Sequence, residues 1–565
     1  MDLDKEDLYR RIKELEKQVK LLNAQLKEKR FGLTWIDVPE AFEKDSENRI
    51  PVLEEVPELS IHNKDGKPTH ILIEGDNYHA LTCLNYTHRN KIDLIYFDPP
   101  YNTGKDDFVY RDKRFLDQYP DGTPIPPNHP LRHSAWLSFM EKRLRLAFDL
   151  LSKRGVMFIS IDDNEQARLK LLCDQIIGEE FFVTDLIWRS SDSSNHDSKQ
   201  FSVDYNHTLV YSKSKTWEPI KIKRKEENNA HYRNPDNDPN GPWFPSNLSS
   251  PNPRANLMFD IISPQGYAIH PPKNGWRWSY EKMQEFIDNG SIIFVDEGRR
   301  LIKKTYLKDQ EGLIPSNIWW DIEDTGHNRN AKYELKKIFS ELNTSEIFKT
   351  PKPTKFISKI LDISSYDNSI ILDFFAGSAT TLHSTLLKNT SEGEKSHRQC
   401  ILVQINEANI CKGVTYERCK RVIEGYSYGN LTIEALGNSL KYYRTAFVGR
   451  NAPKKATDDD RLSLAKKAGC LLSLAENTLY EKEVTEYYQI FTDETNKWTA
   501  IYFQENYSRF DEFKEKILAL EGRKIVYVFC WTDGAEFAQE FEFERCVEVK
   551  SIPQPILDIY KSLNA

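Results

Sequence analysis

The sequence predicts an α/β protein in which a largely parallel sheet is flanked by helices. Two observations carry that prediction. Short apolar runs recur directly ahead of helical patterns, and the two most motif-like stretches of the chain stand immediately after such runs. An open α/β sheet takes its ligand beyond the carboxyl ends of its strands, so chemistry is sought in the residues that follow each run.

Taken in order, Leu8, Ile12, Leu15, Val19, Leu22 and Leu26 alternate steps of four and three, with Lys, Arg and Glu between them. This is the seam of a coiled coil over residues 1–30, or of one amphipathic helix lying on its own protein. Residues 31–69, rich in Pro, Glu and Asp, read as a linker, and the first structured domain is expected to begin near His70. The strand-like runs are Ile71 to Ile73, Ile92 to Phe97, Val156 to Ile161, Ile370 to Phe374 and Ile401 to Ile405. Between them lie helical patterns over Trp136 to Leu151, Ala167 to Ile177 and Thr380 to Leu387. These runs assign residues 70–211 and 346–429 to two halves of one domain.

Residues 212–345 lose the alternating rhythm and carry many Pro, Asn, Trp and Lys, which marks an insertion between the halves. Its tryptophans Trp276, Trp278, Trp319 and Trp320 are expected in its core. Residues 430–565 combine a helical pattern around Leu462 to Leu474 with strand-like Trp498 to Phe503 and Ile525 to Trp531, the pattern of a small α+β module.

Composition narrows the function classes. A chain of 565 residues with 39% hydrophobic and 29% charged residues exceeds one ordinary core and is not disordered. No apolar run reaches eighteen residues and the N-terminus is charged from Asp2, so neither a membrane span nor a secretory signal is expected, and the location is read as cytoplasmic. The eight cysteines contain no CxxC pair, and neither HExxH nor an EF-hand loop is present, so no bound metal is expected. A net charge of −8 requires any nucleic-acid contact to come from local basic surface.

The first motif is Asp98-Pro99-Pro100-Tyr101-Asn102-Thr103-Gly104. Two consecutive prolines cannot continue a central strand, so the chain leaves the sheet there and presents Asp98 and Tyr101 at the ligand edge. The Asp98 carboxylate and the Pro99 carbonyl can each accept one hydrogen of an NH2 group, which aims the nitrogen lone pair outward, while Tyr101 can stack on an attached ring. The second motif, Asp373-Phe374-Phe375-Ala376-Gly377-Ser378-Ala379-Thr380-Thr381, also follows a strand and opens a helix. Its small residues permit close backbone approach to a ligand, and the helix start favours an anionic group. It is neither a dinucleotide GxGxxG nor a triphosphate-binding loop.

Together these motifs resemble the β-class adenine-N6 DNA methyltransferases, in which a DPPY element precedes an FxGxG element. The resemblance covers roughly residues 70–425, with Gly75-Asp76 similar to the family's GD element and Lys352-Pro353 similar to its KP element. The passage from Trp136-Leu137 to Phe158-Ile159-Ser160-Ile161-Asp162-Asp163-Asn164-Glu165 resembles the modification subunits of type III restriction systems, as does the heptad-bearing N-terminus. The resemblance implies a Rossmann-like S-adenosylmethionine-dependent methyltransferase sheet, a target-recognition domain at residues 212–345, methyl transfer to adenine N6 in duplex DNA by base flipping, a homodimer, and a separate restriction subunit with nuclease and helicase activity. It assigns catalysis to Asp98, Pro99, Pro100 and Tyr101. The cofactor would be held by Asp76, Lys352, Pro353, Asp373, Phe375, Gly377, Ser378, Ala379 and Thr380.

The chain departs from the family pattern twice. Ala379 stands where the second glycine of FxGxG is usual, which requires a φ below zero there. Gln404 stands where an acidic residue would meet the ribose diol, with Glu407 three residues on, and either is a candidate. For substrate contact the candidates are Asn102, Lys223 and Arg224 of one basic cluster, Arg299 and Arg300 of another, and His327 and Arg329 for base edges. Other readings stay open: a stand-alone or phage-defence enzyme, transfer to cytosine N4 or another planar amine, and a DNA-binding subunit with an inactive site.

Overall fold

A computed structural model describes residues 11–17, 33–40, 49–104, 111–342, 347–531, 537, 539–541 and 546–563. The chain divides into two compact units, residues 1–217 with 317–565, and residues 218–316. Most of the heptad region lies outside the described residues; Arg11–Lys17 is helical and exposed.

The larger unit is organised by one ten-stranded sheet. Its strands, in chain order, are β1 (Ile50–Glu55), β2 (Thr69–Glu74), β3 (Ile92–Phe97), β4 (Leu151–Ile161), β5 (Phe182–Arg189), β6 (Tyr205–Ser212), β7 (Ile318–Trp319), β8 (Ile370–Asp373), β9 (Gln399–Gln404) and β10 (Ser439–Val448). Across the sheet they run β1-β10-β2-β9-β8-β3-β4-β6-β5-β7. The six strands from β10 to β4 are mutually parallel, while β1 and β6 run against their neighbours. Strand β3 is buried at every position, as expected of a strand covered by helices on both faces. The helices that matter for the site are α1 (Asn77–Thr87), α2 (Ser134–Leu150), α3 (Gln166–Ile177), α4 (Thr354–Ser364), α5 (Thr380–Glu392) and α6 (Glu417–Glu424).

The boundaries differ from the sequence expectation in three places. Residues 33–40 and 50–55 do more than tether: the amides of Ile36 and Val38 donate to Ser134 Oγ and Ser138 Oγ at 3.1 and 3.0 Å, and Ile50–Glu55 forms an edge strand, where Pro51 is tolerated. Residues 317–345 belong to the larger unit, because Ile318–Trp319 extends the sheet and Trp319 is buried in it. Trp320, also expected in a core, is 49% exposed. At the other end, β10 inserts beside β2, and the five-stranded sheet that follows, Tyr480–Val484 to Val547–Ile552, shares one apolar core with the ten-stranded sheet. Ile525, Phe529, Leu557 and Tyr560 are buried in the same cluster as Ala80 and Leu84 of α1, so residues 430–565 are packed as part of the larger unit.

The smaller unit has a three-stranded antiparallel sheet and its own core around Leu257, Ile261, Trp276, Met283 and Ile292. No described helix in either unit is long and apolar enough to cross a membrane.

Candidate active site

Strands β8 and β3 are adjacent and parallel, with Ile371 opposite Leu94 and Leu372 opposite Ile95. This register brings the turn after β8 and the loop after β3 to the same edge of the sheet, although a long stretch of chain separates them. They share one cavity of about 930 Å³, part of it open to solvent, lined by Asp98, Pro100, Asp373, Phe375, Gly377, Ser378 and Thr380 together with Asp76, Lys352, Gln404 and Glu407.

The loop after β3 is fixed by its backbone. The fully buried Trp136 of α2 donates its indole N–H to the Pro100 carbonyl at 2.8 Å. The Tyr101 and Thr103 amides and the Thr103 hydroxyl donate to the buried Asp112 carboxylate at 3.0, 2.7 and 2.7 Å. Asn102, at φ 57°, donates to Glu165 Oε1 at 2.6 Å and accepts from the Arg114 amide at 2.9 Å. Expected to touch substrate, Asn102 is instead buried and shapes the loop, because the fully buried Glu165 takes up its amide.

At the tip of the loop, Asp98 is part-exposed and both of its oxygens are occupied. Tyr101 donates its hydroxyl to Oδ1 at 2.7 Å, and Lys352 Nζ pairs with Oδ2 at 2.5 Å while donating to the Tyr101 oxygen at 3.0 Å. Lys352, expected at the cofactor, also lines the cavity but pairs with the Asp98 carboxylate. Burial and the negative charge of Asp98 hold the Tyr101 phenol well above its ordinary range, so it stays a donor.

The turn after β8 is locked from behind. Gly377 takes φ 50°, and a Cβ there would stand 3.0 Å from the Phe348 ring. Gln404 Oε1 accepts from the Gly377 amide at 2.7 Å, and Thr415 donates to the Gly377 carbonyl at 2.6 Å. Arg418 of α6, fully buried, donates to the Ser378 carbonyl and hydroxyl and to the Thr380 hydroxyl at 3.0, 3.2 and 2.9 Å. Ala379 has φ 58° rather than the negative value expected, and it is buried beneath the turn without lining the cavity. The left-handed region costs a residue with a Cβ about 1–2 kcal/mol. The bonds around Ala379 hold it there. Asp373 accepts from the Thr381 hydroxyl at 2.6 Å and the Phe375 amide at 3.1 Å, and burial pushes its carboxyl up to about 7.

The remaining candidates are dispersed. Asp76 caps α1 by accepting the Tyr78 amide at 2.8 Å and is held by the buried Arg143, which also binds Glu40. Pro353 stands at the start of α4 and is not among the residues that line the cavity. Glu407 is exposed on the cavity wall, whereas the acceptor of Gln404 is taken by the turn. In the larger unit His327 is buried, and Arg329 pairs with Asp192 at 2.8 Å. Within the smaller unit Lys223 and Arg299 are exposed, Arg224 is engaged by Asn228 and Asn229, and Arg300 by Asp296. Arg143, Glu165 and Arg418 were not found by sequence reasoning; no local signal separates them from the charged residues of a solvated helix face.

Residues 92–410, which include both motifs and the turn-locking Gln404, match the family model for DNA methylase. The chain belongs to the DNA methylase family. It is 31% identical over 465 residues to the type III restriction-modification enzyme StyLTI Mod subunit of Salmonella typhimurium, covering 76% of this chain and 68% of that protein. It is also 31% identical to the EcoP15I Mod subunit of Escherichia coli (60% of this chain, 58% of that one) and 30% identical to the EcoPI Mod subunit of Escherichia phage P1 (60% and 57%). The chain thus spans a little over half the length of two of these relatives. This DNA methylase is a methyltransferase whose family cofactor is S-adenosylmethionine. The cavity fits that group: a glycine cradle at Gly377 where a Cβ would clash, the free carboxylate of Glu407 for a diol, and a wall at Phe375 for an adenine ring.

Proposed function

We propose that this DNA methylase transfers a methyl group to the N6 amine of an adenine flipped out of duplex DNA, as the modification subunit of a type III restriction-modification system. The observation that carries the reading is the single cavity shared by Asp98 and the glycine turn. The Mod-subunit relatives support the assignment to a type III system, and with it a cytoplasmic enzyme that dimerises and partners a nuclease-helicase chain.

When bound, S-adenosylmethionine would supply an electrophilic methyl on its sulfonium, and Gly377, Phe375, Glu407 and Asp76, which line the cavity, would hold it. Lys352 Nζ pairs with Asp98 Oδ2 and leaves Oδ1 to the substrate side. An arriving adenine amine displaces the Tyr101 hydroxyl from Asp98 Oδ1 and donates its second hydrogen to the Pro99 carbonyl, which leaves the nitrogen lone pair facing the cofactor side of the cavity. The released Tyr101 ring stacks on the base. As the nitrogen bonds the methyl carbon, the carbon–sulfur bond would break and its electron pair stay on sulfur as a neutral thioether, while the nitrogen loses one proton, which Asp98 accepts and passes to solvent. Among the insertion residues, the exposed Lys223 and Arg299 are assigned to phosphate contact.

Single-molecule sequencing of DNA from cells expressing the chain tests this directly. N6-methyladenine at one asymmetric motif is expected, and its complete loss with Asp98→Ala. Modified cytosine in place of adenine, or no modification by the parent chain, would overturn the proposal.

A further inference from the structure

Phe201 is the most exposed large apolar side chain among the described residues, at 92%, and Val203 two positions on is 59% exposed. Both lie on the loop between β5 and β6. Exposure of this kind usually accompanies a loose segment, but this loop is built. Asp204 accepts from the Ser194 hydroxyl at 2.6 Å and the Ser202 hydroxyl at 2.5 Å, and its carbonyl accepts from the amides of Ser190 and Ser191. Ser202 Oγ in turn accepts from the Asn195 amide at 2.7 Å, and Asp192 is pinned by Arg329. Polar bonds alone hold the loop in shape, and the apolar tip is left in water.

It stands on the same edge of the sheet as the site. Strand β5 runs in the same direction as β3, because two antiparallel steps through β6 and β4 cancel, so the loop leaves the sheet at the edge where Asp98 stands. Two contacts on one segment lie between them: Asn102 to Glu165 at 2.6 Å, and Asp163, two residues before Glu165, to His207 at 3.1 Å, with His207 edge-on against Tyr205, which follows Asp204.

We propose that Phe201 is the side chain that enters the duplex and fills the space left by the flipped adenine. Apolar wedges that unstack bases need these properties: an aromatic or aliphatic tip, a rigid support, and no partner of their own in the free protein. The inference rests on the adenine-flipping reading above and assigns it a positioning residue, since Phe201 touches neither cofactor nor the reacting amine.

The test uses the full-length chain and oligonucleotide duplexes carrying its modified motif, one fully paired and one with an abasic site opposite the target adenine, where flipping needs little help. For Phe201→Ala, transfer to the paired duplex is expected to fall about tenfold or more, while the abasic duplex is methylated within about twofold of the parent rate. Phe201→Leu should restore most of the loss. Equal losses on both duplexes, or no loss on either, as for a loop that docks another protein, would overturn the assignment. A parent chain that methylates neither duplex would instead sink the adenine-flipping reading itself.

Discussion

At the scale of single residues, the site is a set of charges held in unequal environments. Asp373 is fully enclosed and titrates near 7 rather than 3.8, because burial penalises its charged form more than the Thr381 and Phe375 bonds favour it. Between those values the folded chain binds a proton that the unfolded chain has released. Stability attributable to Asp373 is therefore present in acid and lost as pH rises from about 4 to about 7. Asp373→Asn should flatten this loss, and urea midpoints at pH 5 and pH 7.5 read it; an equal decline in both proteins would contradict the assignment. Asp98 and Tyr101 were legible in sequence because two prolines after an apolar run admit few conformations. Glu165 and Arg418 were not, because a charged side chain is normally solvated, and only the assembled fold shows which ones are enclosed.

At the scale of elements, the cofactor turn is a strained segment braced by its neighbours. Gly377 and Ala379 both take positive φ, and α6 supplies the brace through Nη1 of Arg418, which reaches three acceptors on the turn. Methionine fills similar volume without that donor, and Arg418→Met is expected to cost about 1–3 kcal/mol for the buried acceptors left unpaired while the chain stays folded. Affinity for S-adenosylmethionine should nonetheless fall about tenfold or more, the equivalent of one charge-assisted hydrogen bond. Calorimetric titration with the cofactor, beside circular dichroism to confirm folding, separates the two effects; unchanged affinity would show that the turn holds itself. The strands around this turn were readable as continuous apolar runs. Strand β1 was hidden by Pro51 and its acidic flank, and β10 by Lys441 and Arg444, whose ammonium and guanidinium reach Glu55 and Glu74. Edge position and ion pairing, which excuse those residues, are properties of the finished sheet and not of the segment.

At the scale of the whole molecule, the C-terminal residues share the catalytic core. Tyr560 is fully buried and donates its hydroxyl to the Pro51 carbonyl at 3.1 Å, so the last helix, Gln554–Leu563, is tied to the first strand. Tyr560→Ala should destabilise the larger unit by about 3–5 kcal/mol, as for other large buried aromatic truncations. The unfolding midpoints read by cofactor binding and by circular dichroism should move together; a shift in dichroism alone would mean that the C-terminal sheet unfolds independently. The strand order carries one more consequence. Neither neighbour of β2 comes from the first half of the chain: β9 and β10 flank it, and β8 and β9 separate it from β3. A chain emerging from the ribosome can pair β3 with β4, but β2 must wait, unpartnered, until Gln399–Gln404 and Ser439–Val448 have been made. No nascent fragment that ends before Gln404 can close the methyl-donor pocket, so the activity arrives only after the far half of the sheet has been made.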